Sequence, residues 1–319
     1  MPHADSGHWL SIYLDTEIDF APPRTIDDLV ASHHQLMSEL PAHLVGDVPD
    51  DCEFHGRVDM GSATGSPTAE VYTPKGDGPF PVFVHFHGGG WYTGSAALDR
   101  RFGMHIASQG FVVVNVDYAL APIHPFPVGL EDCLYAVRWT ALNSSNLGGD
   151  SSNIFVGGSS AGANLATEVA LALHGAESRL DDRGLSENSV RLRGLVALYG
   201  VLDMPYWVAT PGSFAGEVEV LLAAYLGPDF LEVIHDPLVN PIGNSNLSSL
   251  PPVYISCGSE DGLLASSLRM TQKLSDSDVQ VTTSIVRGAD HEFLKVPQFV
   301  PGAKDEMARI IDWMKGLSE

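Results

Sequence analysis

Short apolar runs alternate along the chain with helix-length segments. Most of the runs are continuous and rich in β-branched residues, which is typical of strands covered on both faces. We predict strands at residues 69–73, 82–86, 111–116, 154–156, 195–199, 253–257 and 279–286. Helices are predicted at residues 101–108, 129–142, 161–174, 263–274 and 304–314. This alternation predicts an α/β fold with a mostly parallel central sheet and helices on both faces.

Two stretches interrupt the alternation. Residues 1–50 contain a helical segment that begins at Thr25 with two aspartates in its first turn. Residues 203–245 are rich in loops and carry aromatic side chains, namely Tyr206, Trp207, Phe214, Tyr225 and Phe230. This insertion is either a lid over a pocket or a surface excursion with its own small core. We therefore predict a catalytic core of residues 51–202 and 246–319, with 1–50 and 203–245 as the cap region.

Charge and composition limit the partners and the compartment. The 319 residues include 17 basic and 40 acidic side chains, which give a formal net charge of −23. Because this field repels polyanions, we expect neither nucleic acid nor anionic membranes as partners. The three cysteines form no CxxC pair and indicate neither a disulfide framework nor a zinc site. We expect a soluble, cytoplasmic protein, because signal-peptide and membrane-helix patterns are absent from the sequence.

One predicted strand ends in a glycine- and serine-rich pentapeptide. The residues are GSSAG at 158–162, which match G-x-S-x-G between a strand and a helix. The sharp turn brings the positions two before and two after the serine together, so both must be glycine. Ser160 then lies at a helix N-terminus with the N–H group of Ala161 facing the reacting centre. The motif alone is weak, but its strand-turn-helix context predicts Ser160 as a nucleophile.

A second strand ends in a histidine followed by three glycines. Gly88, Gly89 and Gly90 leave backbone N–H groups free of side-chain cover, so these groups can converge on an oxyanion. The alternative is a plain glycine turn. A zinc site built from His85 and His87 lacks a third ligand, and we predict no metal.

A nucleophilic serine needs a general base and an acid that orients it. Asp261 and His291 follow late strands, where the sites of α/β sheets assemble. Glu260 is the alternative acid if the register of its loop differs. Asp290, beside the histidine, is expected to be solvated.

The candidate motifs occur together and in order over residues 70–300. They are HGGGW at 87–91, VDYALAPIHPFPVGLEDC at 116–133, GSSAGANLA at 158–166, GSEDGLL at 258–264 and GADHEFL at 288–294. With them the sequence resembles the hormone-sensitive-lipase-type esterases of the α/β-hydrolase fold. The resemblance implies this fold with a helical cap, Ser160 as nucleophile, and Asp261 and His291 as acid and base. It also implies oxyanion donors at the N–H groups of Gly89, Gly90 and Ala161, with Gly88 shaping the turn.

The chain departs from the family pattern at several positions. Ser159 stands where the family often has an acid, and Glu292 stands where it usually has a glycine. Ala119 and Ile123 replace the two charged members of the Tyr-Arg-Leu-Ala-Pro-Glu segment, and Ala265 replaces a common carboxylate. None removes a catalytic group, so we expect effects on substrate preference and local stability more than on activity.

These features predict a serine carboxylesterase that acts on small-molecule esters with short acyl chains and needs no cofactor. The expected substrate pocket is aromatic, with Trp91, Tyr92, Tyr199, Tyr206, Trp207 and Phe214. An amidase or arylformamidase on the same scaffold and a non-catalytic small-ligand receptor are the alternatives. The oligomeric state is left open, with a homodimer as one option.

Overall fold

The computed structural model describes residues 24–31, 51–61, 67–174, 179–180 and 190–318. Its centre is an eight-stranded sheet in the order β1-β2-β4-β3-β5-β6-β7-β8. The strands are β1 Cys52–Asp59, β2 Thr68–Pro74, β3 Phe80–Phe86, β4 Val112–Asp117, β5 Gly149–Ser159, β6 Leu192–Leu198, β7 Val253–Gly258 and β8 Val281–Val286. β2 runs antiparallel to both its neighbours, and all other pairs are parallel. The predicted α/β-hydrolase fold class is confirmed.

Helices cover both faces of this sheet. They are α1 at 26–31, α2 Arg100–Ser108, α3 Val128–Asn143, α4 Ala161–His174, α5 Met204–Ala209, α6 Val218–Leu226, α7 Phe230–Val233, α8 Leu264–Asp276 and α9 Ala303–Ser318. Buried apolar side chains form two clusters between the helices and the sheet. In the larger cluster α3, α4 and α8 pack against one face of the sheet, and in the other α2 and α9 pack against the opposite face. None of the helices in the described ranges is long and apolar enough to cross a membrane.

The strand missing from the sequence prediction is β1. It lies at the edge of the sheet, and most of its side chains are exposed, so it has no apolar run to mark it. β5 is also longer than the predicted 154–156, because its first residues, Gly149 to Asn153, are polar or small. Strand pairing extends beyond the apolar run in both cases.

Part of the predicted N-terminal cap segment is described. Thr25 Oγ1 accepts the N–H of Asp28 at 3.1 Å, and Asp28 Oδ2 accepts the N–H of Thr25 at 2.9 Å. This reciprocal cap starts α1 at the predicted place. Leu29 of α1 is fully buried in the larger apolar cluster. Residues 1–23 and 32–50 of the segment lie outside the described residues.

The insertion at 203–245 contains α5, α6 and α7. Its aromatic residues do not form a separate core. Tyr225 stacks on Trp91 with the ring centroids 4.6 Å apart, and Trp207 packs against the same indole at 6.3 Å. The insertion is therefore anchored on the turn that follows β3, and Trp207 and Tyr225 belong to the main apolar cluster.

Candidate active site

The nucleophile elbow, residues 158–162, joins β5 to α4. Ser160 has φ +53°, in the left-handed region that is strained for a side-chain-bearing residue. A Cβ on Gly158 would collide with the carbonyl of Gly162, and one on Gly162 would collide with the carbonyl of Phe86. The two glycines let the backbone segments meet, and the strained turn projects the Ser160 hydroxyl above the sheet.

Three sequence-predicted residues meet above the elbow. His291 Nε2 lies 2.9 Å from Ser160 Oγ, and His291 Nδ1 lies 2.9 Å from Asp261 Oδ2. The second oxygen of Asp261 accepts the N–H of Leu263 at 2.8 Å, which fixes the carboxylate. Because β5, β6, β7 and β8 are parallel neighbours, the loops after β5, β7 and β8 open at the same sheet edge. All three side chains are buried.

The protonation of His291 is set by opposing effects. Burial by itself lowers the pKa of His291, because the imidazolium loses its hydration. The charge and hydrogen bond of Asp261 outweigh burial, Glu292 and Asp290 add smaller contributions, and the net pKa of His291 is raised. The imidazolium that forms when His291 accepts a proton is thus stabilised, as a general base in nucleophilic catalysis requires.

The glycine loop after β3 lies beside the elbow. Gly89 and Gly90 have φ values of +123° and +58°, and the Gly89 carbonyl accepts the N–H groups of Tyr92 and Thr93 in a tight turn. Among backbone hydrogen bonds outside helices and strands in the described chain, none uses the N–H of Gly89 or Gly90 as donor.

His87 helps to fix this loop. Its Nδ1 lies 2.7 Å from the Gly88 carbonyl, and its ring stacks on Tyr118 with centroids 4.3 Å apart. The Tyr118 hydroxyl donates to the His87 carbonyl at 2.8 Å. Within the described ranges, no group of three or more His, Cys, Asp or Glu side chains could hold a metal.

Only some of the predicted pocket residues lie next to His291. Phe214 from the insertion and Tyr199 after β6 each place a ring edge-on to His291, with centroids 5.2 Å apart. Trp207 packs against Phe214 at 5.7 Å. Tyr92 lies beside Gly90, and its own pKa is raised by burial and by the charges of nearby carboxylates. The remaining two residues of the predicted set lie differently.

Trp91 and Tyr206 are directed to structural contacts. The Trp91 indole is 1% exposed and lies flat against Tyr225. The guanidinium of Arg269 lies 4.6 Å from the centroid of the Tyr206 ring and also pairs with Asp203. Both rings support the insertion, whereas Phe214 and Tyr199 contact His291.

The neighbouring carboxylates also have defined places. Glu260 Oε1 accepts the hydroxyl of Ser259 at 2.9 Å, whereas the contact with His291 is made by Asp261. Asp290 is half-buried, and its Oδ1 accepts the backbone N–H of His291 at 2.7 Å. Asp290 is therefore only partly exposed to solvent, because this side chain folds back to cap its own loop.

Two buried charges near the site had no signal in the sequence. Asp99 and Lys295 lie 196 positions apart in numbering, yet Lys295 Nζ is 3.2 Å from Asp99 Oδ1. Both side chains are buried beneath the glycine loop. Only the departure at Glu292, which contacts the same ammonium, could have drawn attention to this region.

The chain was compared with known proteins. A family model described as the alpha/beta hydrolase fold matches residues 83–295, more than half of the chain. The chain belongs to this family of hormone-sensitive-lipase-like hydrolases. The predicted enzyme class, a carboxylesterase, is confirmed.

Individual relatives agree with this assignment. The carboxylesterase NlhH of Mycobacterium tuberculosis is 30% identical over 77% of this chain and 76% of its own length. A versiconal hemiacetal acetate esterase of Dothistroma septosporum is 28% identical over 78% of this chain and 79% of its own. The solved structure of a bacterial heroin esterase superposes with a TM-score of 0.80 at 23% identity, covering 97% of this chain and 98% of that one. The last likeness concerns the fold alone.

Proposed function

We propose that the hydrolase cleaves small-molecule carboxylic esters with short acyl chains through Ser160, His291 and Asp261. The observation that carries this proposal is the continuous hydrogen-bonded chain from Ser160 Oγ through the imidazole to Asp261. A serine hydroxyl is a weak nucleophile until a base takes its proton, and a base works best when a third group holds its tautomer. The buried chain satisfies both requirements.

The catalytic cycle follows from these groups. His291 Nε2 takes the Ser160 proton as Oγ attacks the ester carbonyl, while Asp261 holds Nδ1–H and stabilises the imidazolium. The imidazolium then donates its proton to the leaving alcohol, and an acyl-serine remains. Water attacks the acyl group with His291 again as base, which releases the acid and restores the hydroxyl.

The oxyanion of each tetrahedral intermediate needs donors placed before the reaction. We assign this role to the N–H groups of Gly89, Gly90 and Ala161, with Gly88 shaping the loop. The loss of one such donor commonly lowers kcat by about 10²–10³. The N–H of Ala161 belongs to the first residue of α4, where the helix dipole adds to the stabilisation.

The preference for short acyl chains rests on the rings around the histidine. Phe214 and Tyr199 flank His291, and Trp207 closes behind Phe214. A cleft bounded by packed rings has a fixed length. Each buried CH₂ contributes about 0.8 kcal/mol until the cleft is full, and further carbons gain nothing.

The nucleophile is tested by covalent labelling together with turnover. The wild-type protein should hydrolyse p-nitrophenyl acetate and gain the mass of one phosphonate when treated with a p-nitrophenyl alkylphosphonate. Ser160→Ala should lose both properties and keep its circular dichroism spectrum. Ser152→Ala, at an exposed serine of the same strand, is the matched control and should behave as wild type.

Three results would overturn the proposal. Labelling of folded Ser160→Ala at the wild-type rate would place the nucleophile elsewhere. Turnover of a matched anilide faster than the ester would make the chain an amidase of the same fold. A receptor without catalysis would show neither labelling nor turnover.

A further inference from the structure

A cluster of buried charges lies directly beneath the candidate site. Lys295 Nζ is 2.9 Å from Glu292 Oε1 and 3.2 Å from Asp99 Oδ1, and His85 Nε2 is 2.9 Å from Asp99 Oδ2. The side chains of Asp99, Glu292 and Lys295 are 2%, 5% and 9% exposed. We call these four residues the buried charge cluster.

Asp99 and Lys295 of this cluster are ionised. Burial disfavours a charge on Asp99, but the ammonium of Lys295 and the hydrogen bond from His85 hold the pKa of Asp99 well below its usual range. Burial likewise lowers the pKa of Lys295, but the charges of Asp99 and Glu292 outweigh it, and the net pKa is raised. Buried ion pairs often stabilise a fold no more than apolar residues of the same size. Their location is therefore more informative than their contribution to stability.

The cluster touches each of the three loops that form the site. Glu292 follows His291 in the chain, and its Oε1 lies against the Cα of Gly88 in the glycine loop. Ser159, the residue before the nucleophile, donates to Asp99 Oδ2 at 3.5 Å. A small cavity is lined by Asp99, Ser159, Tyr199 and Lys295. One connected set of charges thus links the base, the oxyanion donors and the elbow.

The backbone of Glu292 supports a role in holding this geometry. Its φ is +56°, in the left-handed region, which is costly for a residue with a Cβ. Such a conformation persists where surrounding contacts over-determine it. Here the contact is the ion pair with Lys295, three residues later on the same loop, residues 289–295, which we call the base loop.

The charges around His291 determine its protonation. Asp261 faces the ring from the loop after β7, and Asp290 and Glu292 flank it on the base loop. Tyr199 after β6 and Phe214 from the insertion contribute uncharged rings. Lys295 pairs with Glu292 and with Asp99. We therefore expect its positive charge to oppose the effect of the Glu292 carboxylate on the imidazole.

We propose that Glu292 and Lys295 are positioning residues of the hydrolase: their ion pair fixes the base loop beneath the oxyanion glycines and sets the charge that His291 experiences. This inference rests on the proposed catalytic role of His291. It assigns a role to two residues that make no contact with the scissile bond.

The sign of the pH dependence tests the proposal. The acid limb of kcat/KM reports the loss of a proton from the essential base of the free enzyme. Glu292→Gln removes a negative charge that favours the imidazolium, so the limb should move down by about 0.5–1 pH unit. Lys295→Met removes the opposing positive charge, so its limb should move up. In both variants kcat should fall about tenfold or more with KM changed less than about threefold, because the base loop is no longer fixed.

Glu306→Gln is the matched control. Glu306 is a fully buried carboxylate that pairs with Arg309 at the same spacing of three residues, on α9 and away from the site. This variant should lower Tm and leave the acid limb unmoved. If Lys295→Met does not fold, the acid limbs of Glu292→Gln and Glu306→Gln are compared, and this comparison tests the positioning role.

An acid limb of Glu292→Gln within about 0.1 pH unit of wild type, or a shift equal to that of Glu306→Gln, would overturn the proposal. The test is separable from that of the triad. If Ser160→Ala abolishes labelling while Glu292→Gln leaves the limb unmoved, the triad stands and only the positioning role fails. If Ser160→Ala stays fully active, the catalytic role of His291 fails as well.

Discussion

The nucleophile elbow and the base loop hold Ser160 and His291, the proposed nucleophile and base, in different ways. In the elbow, Gly158 and Gly162 allow backbone segments to approach where any Cβ would collide. In the base loop, His291 is surrounded by Asp261, Asp290 and Glu292, and Lys295 lies behind them. Steric fit fixes the serine, whereas charges fix the histidine.

This difference predicts two kinds of sensitivity. A steric site fails when an atom is added, and it fails equally at every pH. A site held by charges fails when a charge is removed, and its failure depends on pH because the charges also tune the base. Substitutions in the two regions should therefore separate cleanly in kinetics and in stability.

The largest expected loss of activity comes from removing a charge next to His291. Asp261→Asn should lower kcat by about 10⁴, because an amide no longer holds the imidazole in the tautomer that accepts the serine proton. Glu260→Gln is the matched control, because that carboxylate accepts from Ser259 and should change kcat less than about threefold. Steady-state kinetics with p-nitrophenyl acetate measures both. A larger loss in Glu260→Gln would show that the acid is misassigned.

The next largest effect is expected from adding an atom in the nucleophile elbow. In Gly162→Ala the new Cβ would meet the carbonyl oxygens of Phe86 and His87, so we expect a loss of about 2–3 kcal/mol in the free energy of unfolding and a fall of about 5 °C in Tm. Its residual kcat/KM should keep the wild-type pH profile.

Gly316→Ala in α9 is the control for this change. Nothing lies within 4 Å of a Cβ at Gly316, so alanine should be neutral or stabilise the helix by up to about 1 kcal/mol. Thermal melts of the two variants give the comparison. Equal Tm values for Gly162→Ala and wild type would contradict the steric account of the elbow.

The smallest effect is expected from Phe214, the residue of the insertion that packs against the base loop. Phe214→Ala removes the ring that packs edge-on against His291, and it should lengthen the preferred acyl chain by about two to four carbons with few-fold changes in kcat/KM. A series of p-nitrophenyl esters from two to sixteen carbons measures this preference. Phe230→Ala, on α7 of the same insertion, should leave it unchanged.

The wild-type protein has its own expected outcome in this series. Its kcat/KM should peak between two and about six carbons, because we expect the rings beside His291 to limit the length of the acyl site. Efficiency that still rises beyond about twelve carbons would make the chain a long-chain lipase. It would also show that Phe214 does not bound the acyl site.

Sequence reasoning succeeded where an element has a repeating side-chain pattern, and it failed where a backbone pairing or a single side-chain contact places the residue. The continuous apolar runs of β3, β4, β6 and β7 were found because a strand buried on both faces has a distinctive pattern. The exposed edge strand β1 was missed because its hydrogen bonds, not its side chains, place it. The fold of Asp290 back onto the His291 amide was missed because a single loop carboxylate has no periodic signal.

Sequence patterns predicted seven of the eight strands and the strand-turn-helix context of Ser160. Each depends on neighbours within a few residues, where a glycine or an apolar run has a direct steric consequence. Tertiary structure alone decided that Lys295 meets Asp99, that Glu292 lies against Gly88, and that Phe214, rather than Trp91, touches His291. These contacts join residues that are distant in the chain, and their strength comes from the exclusion of water, which exists only after the sheet and its loops have packed.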